Sequence, residues 1–510
     1  MLKQTLLTLS ICAVTSLAIF QTVHAQISEF KITASDPALN DIFGHSVSIF
    51  EDYAIVGAPH HAENGLSNSG AAYVYRYNGT TWDEEFKLVP SVGAVDDYFG
   101  TSVSINGEYA VVGAPNIVNN GTTPGAAYVF KRTGTSWAQE EKLFASDGVA
   151  GDVFGNSVSI SGDYAIVGAF LHDDNGLSNS GSAYVFHRNG TSWPEEDELL
   201  ADIADNDEYF GYSVSIFGDY AAISAPIDNE NGLNSGSGYA FKRTGTSWAQ
   251  EEKLLPTDGI AQDFFGQSIS IFGDYVVVGA PFHDEQGVGS GSAYVFHRTG
   301  TSWLQEDELL PADGKMEDFL GWSVSISGDY AVVGAHAYKD NSADSTGSAY
   351  IFKRDGTNWD EAVQLFAFDK QEVDFFGFSV SIYNGRVIVG AIWDDDNNAE
   401  ESGSAYVYSD IIVGIDDERV GLPAEYTLSQ NYPNPFNPET IITYALPSPR
   451  EVSLIIYDIR GRNVAQLVNG LMPAGYHSAV WDASRFSSGI YFYRIQAGDF
   501  VQTRKMVLLK

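Results

Sequence analysis

Residues 152–200 read DVFGNSVSISGDYAIVGAFLHDDNGLSNSGSAYVFHRNGTSWPEEDELL, and the chain repeats this sentence along most of its length. The Phe-Gly near its start recurs at Phe43-Gly44, Phe99-Gly100, Phe154-Gly155, Phe210-Gly211, Phe265-Gly266 and Phe376-Gly377, and Leu320-Gly321 fills the remaining slot. The spacing is always 55 or 56 residues. A fixed period of that size means a solenoid, a propeller or an array.

The inside of the unit decides among them. Ser-Val-Ser-Ile alternates small polar and β-branched residues, the pattern of a half-buried strand. A Gly-X turn follows (Gly162-Asp163, Gly218-Asp219, Gly273-Asp274) and suits a tight II′ hairpin. The apolar run Tyr164–Ala169 reads as a strand buried on both faces, and a polar loop leads to a third strand, SAYVF. Asn189-Gly190 then turns the chain into a charged fourth strand, EEDELL. Four short strands joined by hairpin turns make one propeller blade. The small Ser-Val-Ser-Ile strand belongs at the crowded axis, and the charged strand at the outer edge, where Glu and Lys oppose pairing with other chains. Trp82, Trp137, Trp193, Trp248, Trp303 and Trp359 recur beside the outer strand. One Trp per blade at constant register reads as packing rather than ligand stacking.

Seven slots predict seven blades, and the seventh is short. After Tyr406-Val407-Tyr408 there is no Gly-Thr-Ser-Trp turn and no outer strand. Glu29-Phe30-Lys31-Ile32 matches Glu141-Lys142-Leu143 and Glu252-Lys253-Leu254 and stands before the first Phe-Gly as they stand before theirs. The N-terminal strand is therefore expected to complete the last blade and close the ring. A solenoid has no use for a split repeat. The expected fold is an all-β, seven-bladed propeller of four-stranded blades over 26–409.

Composition bounds the partners. Of 510 residues, 44% are hydrophobic, which is a folding composition, and 27 Lys plus Arg against 67 Asp plus Glu leave a net charge of -40. Such a surface repels nucleic acid and anionic lipid and suits cations, neutral glycans or basic proteins; high charge also serves solubility. The first 25 residues carry a basic start, the apolar run LLTLSICAVTSLAIF and Val23-His24-Ala25, the three parts of a secretory signal peptide. The sole cysteine, Cys12, lies inside that run behind a bulky Ile11, so neither a lipoprotein site nor a disulfide is expected. No later stretch is apolar enough for a transmembrane helix.

The Phe-Gly together with Gly57-Ala58-Pro59, Gly113-Ala114-Pro115 and Gly279-Ala280-Pro281 resembles the FG-GAP repeat family, which forms the seven-bladed propeller of integrin α subunits. The third position varies to Phe170, His336 and Ile392, and Ser224 replaces one Gly. Integrin-type repeats often hold a calcium loop between the Phe-Gly and Gly-Ala-Pro strands. Here Ser161-Gly162-Asp163-Tyr164 is too short to surround an ion, so that site is not carried over.

Carboxylates gather in two other loop sets that an up-and-down blade places on one face. After strand two come Asp173-Asp174, Asp228, Asp284 and Asp394-Asp395-Asp396; between blades come Asp96-Asp97, Asp147 with Asp152, Asp205 with Asp207 and Glu208, Asp258 with Asp263, and Asp369 with Asp374. One acidic face results, and the resemblance makes it the ligand-binding one. Asp394, Asp395 and Asp396, or Asp173 and Asp174, are the candidate Ca2+ ligands. Asp and Asn are also ordinary loop formers, which is the blander account of each loop. His61, His172 and His283 follow the Gly-Ala-Pro position in separate blades, cannot meet at one ion, and read as loop packing.

Past a linker, 410–425, comes Pro433-Asn434-Pro435-Phe436-Asn437-Pro438, whose prolines exclude it from a sheet interior. Alternating segments from ITYAL to VQTRKMVLL predict a small antiparallel β-sandwich over 426–510. The Pro-Asn-Pro-Phe-Asn-Pro run, Asp458-Ile459-Arg460-Gly461, Gly489-Ile490-Tyr491-Phe492-Tyr493-Arg494 and the basic end from Arg504-Lys505 closely resemble the type A sorting domain of type IX secretion. That resemblance implies crossing of the outer membrane by the type IX machinery, with release or attachment at the cell surface.

The leading functional expectation is a secreted or cell-surface adhesion protein that binds a glycan or protein ligand. A propeller glycosidase or lyase is the second reading. The Gly-Thr-Ser-Trp turn is similar to the sialidase aspartate box, but Arg132, Arg243 and Arg298 stand where its Asp belongs, so no catalytic residue is assigned. Trp322, Trp393 and His336 break the repeat and mark a possible ligand site around blades six and seven. A structural surface-layer component is the third reading.

Overall fold

The computed structural model describes residues 28–115, 124–339, 345–395 and 401–409, and most of 426–509 apart from 429–430, 432–433, 435, 448–449, 473–474 and 499. The expected signal peptide with Cys12, the linker 410–425, Asp396, Pro433 and Pro435 lie outside the described residues. The chain forms two compact units, 1–415 and 416–510.

The first unit holds seven four-stranded antiparallel sheets, one per repeat. Blade three shows the pattern: Val158–Ser161, Tyr164–Ala169, Ser182–His187 and Glu195–Leu199 pair in sequence order. Its second and third strands are buried almost throughout, as their apolar runs demand, and its outer strand is half-exposed until Leu199. Blade seven pairs Phe376–Tyr383, Arg386–Ala391 and Ser404–Ser409 with Ser28–Ile32, the expected strand from the other end of the array. All six repeated Trp residues are buried, at 3–8% exposure, and five of them meet edge-on a Tyr of the preceding blade, as Trp193 meets Tyr109. They are packing residues.

The inner strand needs serine for a reason beyond size. Ser48 Oγ accepts the amide of Ile105 in the next blade, and Ser104, Ser159, Ser215, Ser270 and Ser325 do the same for Ile160, Ile216, Ile271, Ile326 and Ile382, all at 3.1–3.2 Å. Ser381 of blade seven accepts the amide of Ile49 in blade one at 3.2 Å. Each bond satisfies an amide on the unpaired edge of the inner strand, where a lost partner would cost about 1–3 kcal/mol.

Glycine serves a neighbouring contact. A Cβ on Gly57, Gly113, Gly168, Gly279, Gly334 or Gly390 would lie 1.9–2.0 Å from the carbonyl oxygen of the Phe-Gly (or Leu-Gly) glycine in the adjoining blade. Backbone touches backbone there, and no side chain fits. Blade four departs from this rule with Ser224, whose Oγ bonds Ser213. The Phe of each Phe-Gly, or Leu320, forms a parallel bridge with a loop glycine of the preceding blade, including Phe43 with Gly403.

In the second unit, Thr427–Leu428, Glu439–Leu446 and Gly475–Asp482 form one sheet, and Asn463–Met472, Arg450–Asp458, Gly489–Ala497 and Phe500–Leu508 form another. Both contribute to one core around Trp481, Tyr493, Ile456 and Met506. Of the proline-rich run, the described residues Asn434, Phe436, Asn437 and Pro438 precede the strand Glu439–Leu446. Phe436 bridges Leu508, with its amide on Val507 O and its carbonyl on Leu509 N, while Asn434 Oδ1 accepts the Val507 amide. Among the described residues no helix is long and apolar enough to cross a membrane.

Two outcomes test these contacts. Gly279→Ala should lower unfolding stability by at least about 2 kcal/mol through overpacking, whereas Ser224→Gly should stay within about 1 kcal/mol, as read by urea titration. Deleting residues 26–32 should lower the melting temperature and speed amide exchange at 404–409; unchanged protection there would show that the two ends do not pair in solution.

Candidate functional site

The loop after strand two meets the crossover into the next blade, where the amides of Asp96, Asp207, Gln262, Glu317 and Val373 bond carbonyls of Ser67, Ser178, Leu233, Val288 and Ser345, so the two acidic loop sets share a face. Asn68 reaches Asp96 at 2.8 Å, and Asn179 reaches Asp207 at 2.7 Å. Beneath these loops blades one, three, four, five and seven carry a compact polar cluster. Its members are a buried residue three after the alanine of the Gly-Ala-Pro position, the penultimate residue of an outer strand, and two crossover acids five residues apart, except in blade four, where Glu208 is the acid and Ile203 takes the other place.

In blade seven these are Asp394, Lys31, Asp369 and Asp374. The Lys31 ammonium lies 2.8 Å from both Asp369 and Asp394, and the Tyr406 hydroxyl lies 2.7 Å from the same two carboxylates. In blade four, Lys253 lies 2.6 Å from Asp228 and 2.5 Å from Glu230. Burial alone would raise the Asp228 pKa, but hydrogen bonds from Lys253 and Ser237 hold it below the usual carboxylate value. In blade one, Lys87 sits among Asp36, Glu63 and His61 Nε2 at 2.8, 2.5 and 3.0 Å. An ammonium group can only donate, so His61 carries its proton on Nδ1, which meets Asp41 at 2.8 Å.

Blades three and five use a different pair. His172 and His283 take the loop position, and Glu198 and Glu308 replace the lysine. Each imidazole is buried, with Nδ1 at 2.9 Å from Asp152 or 3.2 Å from Asp263. These hydrogen bonds raise both histidine pKa values against the opposing effect of burial. The donor atoms of three Asp–His–Glu groups lie within 4.8 Å of one another: Asp36, His61 and Glu63; Asp147, His172 and Glu198; and Asp258, His283 and Glu308. The histidines do stay in separate blades, but each is the centre of its own carboxylate group.

The acidic-loop candidates divide into two kinds. Asp228 and Asp394 are buried, and each is paired with a lysine that already supplies the positive charge a calcium ion would bring. Asp173, Asp284 and Asp395 are exposed and accept the loop amides of Asn179, Gly289 and Glu401. Asp174 meets the Asn175 amide group. Pattern reasoning reaches Lys31 and Lys253 only as strand residues and does not reach Lys87, Glu198 or Glu308 as cluster members. Their signal was present: across the repeats, Asp228 and Asp394 go with lysine, and His172 and His283 go with glutamate.

The residues that break the repeat do converge. His336 lies 4.5 Å from Trp322 and within 6 Å of Phe319, Phe375 and Phe378, and Phe375 lies 4.5 Å from Trp393. Phe319 continues the series to Phe282 and Phe264, each step 5.1 Å. All stand at the start of an inner strand or the end of a second strand, hence on the acidic loop face near the axis. Trp393 and Phe282 are exposed, at 37% and 36%. Burial lowers the His336 pKa to about 4, so its ring is neutral. The face thus has an aromatic strip inside and carboxylates outside it.

This architecture defines a seven-bladed β-propeller followed by a small β-sandwich. The chain belongs to the FG-GAP repeat family, whose repeats match residues 28–75, 82–130, 137–186, 193–241, 248–296, 303–352 and 359–408. Residues 430–509 match a secretion system C-terminal sorting domain, which marks the protein for export by type IX secretion. Among solved structures, the chain is similar to PorZ, a surface component of the type IX secretion system of Porphyromonas gingivalis, at 12% identity, TM-score 0.42 and 94% coverage of this chain. The chain spans 61% of the PorZ chain. A fungal alcohol oxidase in complex with copper aligns at 10% identity and TM-score 0.48, covering 95% of this chain and 99% of that one. The periplasmic gluconolactonase PpgL of Pseudomonas aeruginosa aligns at 14% identity and TM-score 0.43, covering 66% and 88%. No curated protein matches the sequence significantly.

Four crossover acids, Asp97, Glu208, Asp318 and Asp374, have pKa values raised by burial. Burial lifts Glu208 from 4.5 to about 7, and Asp318 and Asp374 from 3.8 to about 6. Because the folded pKa of Glu208 exceeds the unfolded one, folding takes up a proton between pH 4.5 and about 7, and stability falls as the pH rises through that window. Glu208→Gln should therefore be near neutral at pH 4 and stabilise by about 2 kcal/mol at pH 8, as thermal unfolding across that range would show.

Proposed function

We propose that this protein is an exported binding protein whose acidic loop face takes a neutral glycan across the aromatic strip of blades five to seven. The observation that carries this reading is the joining of exposed rings to a rim of carboxylates on one face. Sugar rings present apolar C–H faces that lie on aromatic rings, and hydroxyl groups that donate to carboxylates such as Asp284 and Asp395. A net charge of -40 opposes acidic polysaccharides and leaves uncharged ones as the matching class. Export through type IX secretion brings such a face to the outside of the cell, free or attached at the surface, where glycans and surface proteins are the available partners.

The test is a binding screen of the purified protein against neutral polysaccharides, with calorimetric titration of the best ligand. Trp393→Ala and Trp322→Ala should each weaken binding about tenfold or more, as loss of a central aromatic contact does. Binding that both variants leave unchanged would remove the aromatic strip as the site. Release of reducing sugar during the titration would favour the glycosidase reading, and concentration-dependent assembly without ligand would favour the surface-layer reading.

A further inference from the structure

The polar clusters beneath the loops contain their own comparison. In blades one, four and seven the space between the loop residue and the crossover acid receives a lysine ammonium, from Lys87, Lys253 and Lys31. In blades three and five the same outer-strand position is Glu198 or Glu308, so a cation-binding arrangement gains a further carboxylate where it loses its cation. We infer that Asp258, His283 and Glu308 of blade five, and Asp147, His172 and Glu198 of blade three, each bind a divalent transition-metal ion of the zinc class.

Several observations support this independently of the carboxylate count. His283 is 4% exposed, and its Nε2 makes no hydrogen bond although it points at Glu308 Oε1, 3.7 Å away, which also makes none. An imidazole nitrogen beside two carboxylates suits zinc-class ions rather than the all-oxygen shell of calcium. Metal–ligand bonds of 2.0–2.2 Å in tetrahedral arrangement place donor atoms about 3.4 Å apart. His172 Nε2 stands 3.6 Å from Asp147 Oδ2 and 3.9 Å from Glu198 Oε1, a few tenths of an ångström beyond that spacing, and all three donor atoms lie within 4.8 Å of one another. The other ring nitrogen of each histidine is already held by Asp152 or Asp263, the carboxylate–histidine pairing that orients metal-bound imidazoles. The inference goes beyond the glycan reading and stands or falls separately from it.

The test is calorimetric titration of zinc into chelator-stripped, purified protein, with cobalt absorption as a second readout. Two equivalents should bind at micromolar or lower concentration and raise the melting temperature. Glu308→Lys should leave one equivalent, and the Glu198→Lys/Glu308→Lys double variant none. Both should fold, because blade one already combines histidine with lysine at these positions. If the lysine variants are unstable, His172→Gln with His283→Gln provides the same loss with little change in size. Absence of zinc binding by the unmodified protein, or two equivalents retained after the paired substitutions, would overturn the assignment.

Discussion

Everything in the propeller depends on how closely one blade can approach the next. Neighbouring inner regions meet backbone to backbone, the Gly-Ala-Pro glycine of one blade against the Phe-Gly carbonyl of the next. That distance lets a short serine hydroxyl span the gap and accept an amide of the adjoining blade. A bulky side chain at either place would move the inner strands apart and leave those amides without partners, whereas the small Ser224 of blade four is accommodated with the Ser215–Ile271 bond kept at 3.1 Å. The recurrence of glycine at one place and of serine at the other are thus two consequences of one steric condition.

Further from the axis the blades are held by side chains, and tolerance rises. Arg188 lies over the Tyr109 ring of the preceding blade, as Arg243 does over Tyr164, while Trp193 and Trp248 close the same junctions edge-on. Such contacts permit variation in the loops beyond them. The loops are therefore where individual blades differ, and where the aromatic strip and the polar clusters arise.

Those clusters show how one scaffold position supports different electrostatic solutions. A buried carboxylate beside a second carboxylate needs a positive charge, an added proton or a metal ion. Lys31 and Lys253 supply the charge in two blades. Glu208, Asp318 and Asp374 shift toward the proton. His172 and His283, each beside a glutamate and held by an aspartate, provide the donor set of the third solution.

The sequence by itself determined the blade count, the strand order within a blade, the place of Glu29–Ile32 beside the last repeat and the sorting domain. The first three follow from local patterns, period-2 alternation with Gly-X and Asn-Gly turns, whereas the sorting domain rests on the resemblance of its motifs, local patterns alone giving only a small β-sandwich. It also marked Trp322, Trp393 and His336 as departures from the repeat. What only the tertiary structure decided was which distant side chains share a cluster. Asp147, His172 and Glu198 are spread over 52 positions of the chain, and Lys31 and Asp394 stand at opposite ends of the repeat array. A linear pattern registers the spacing of residues along a strand, whereas charge pairing acts through space, and folding brings those carboxylates to their histidines and lysines.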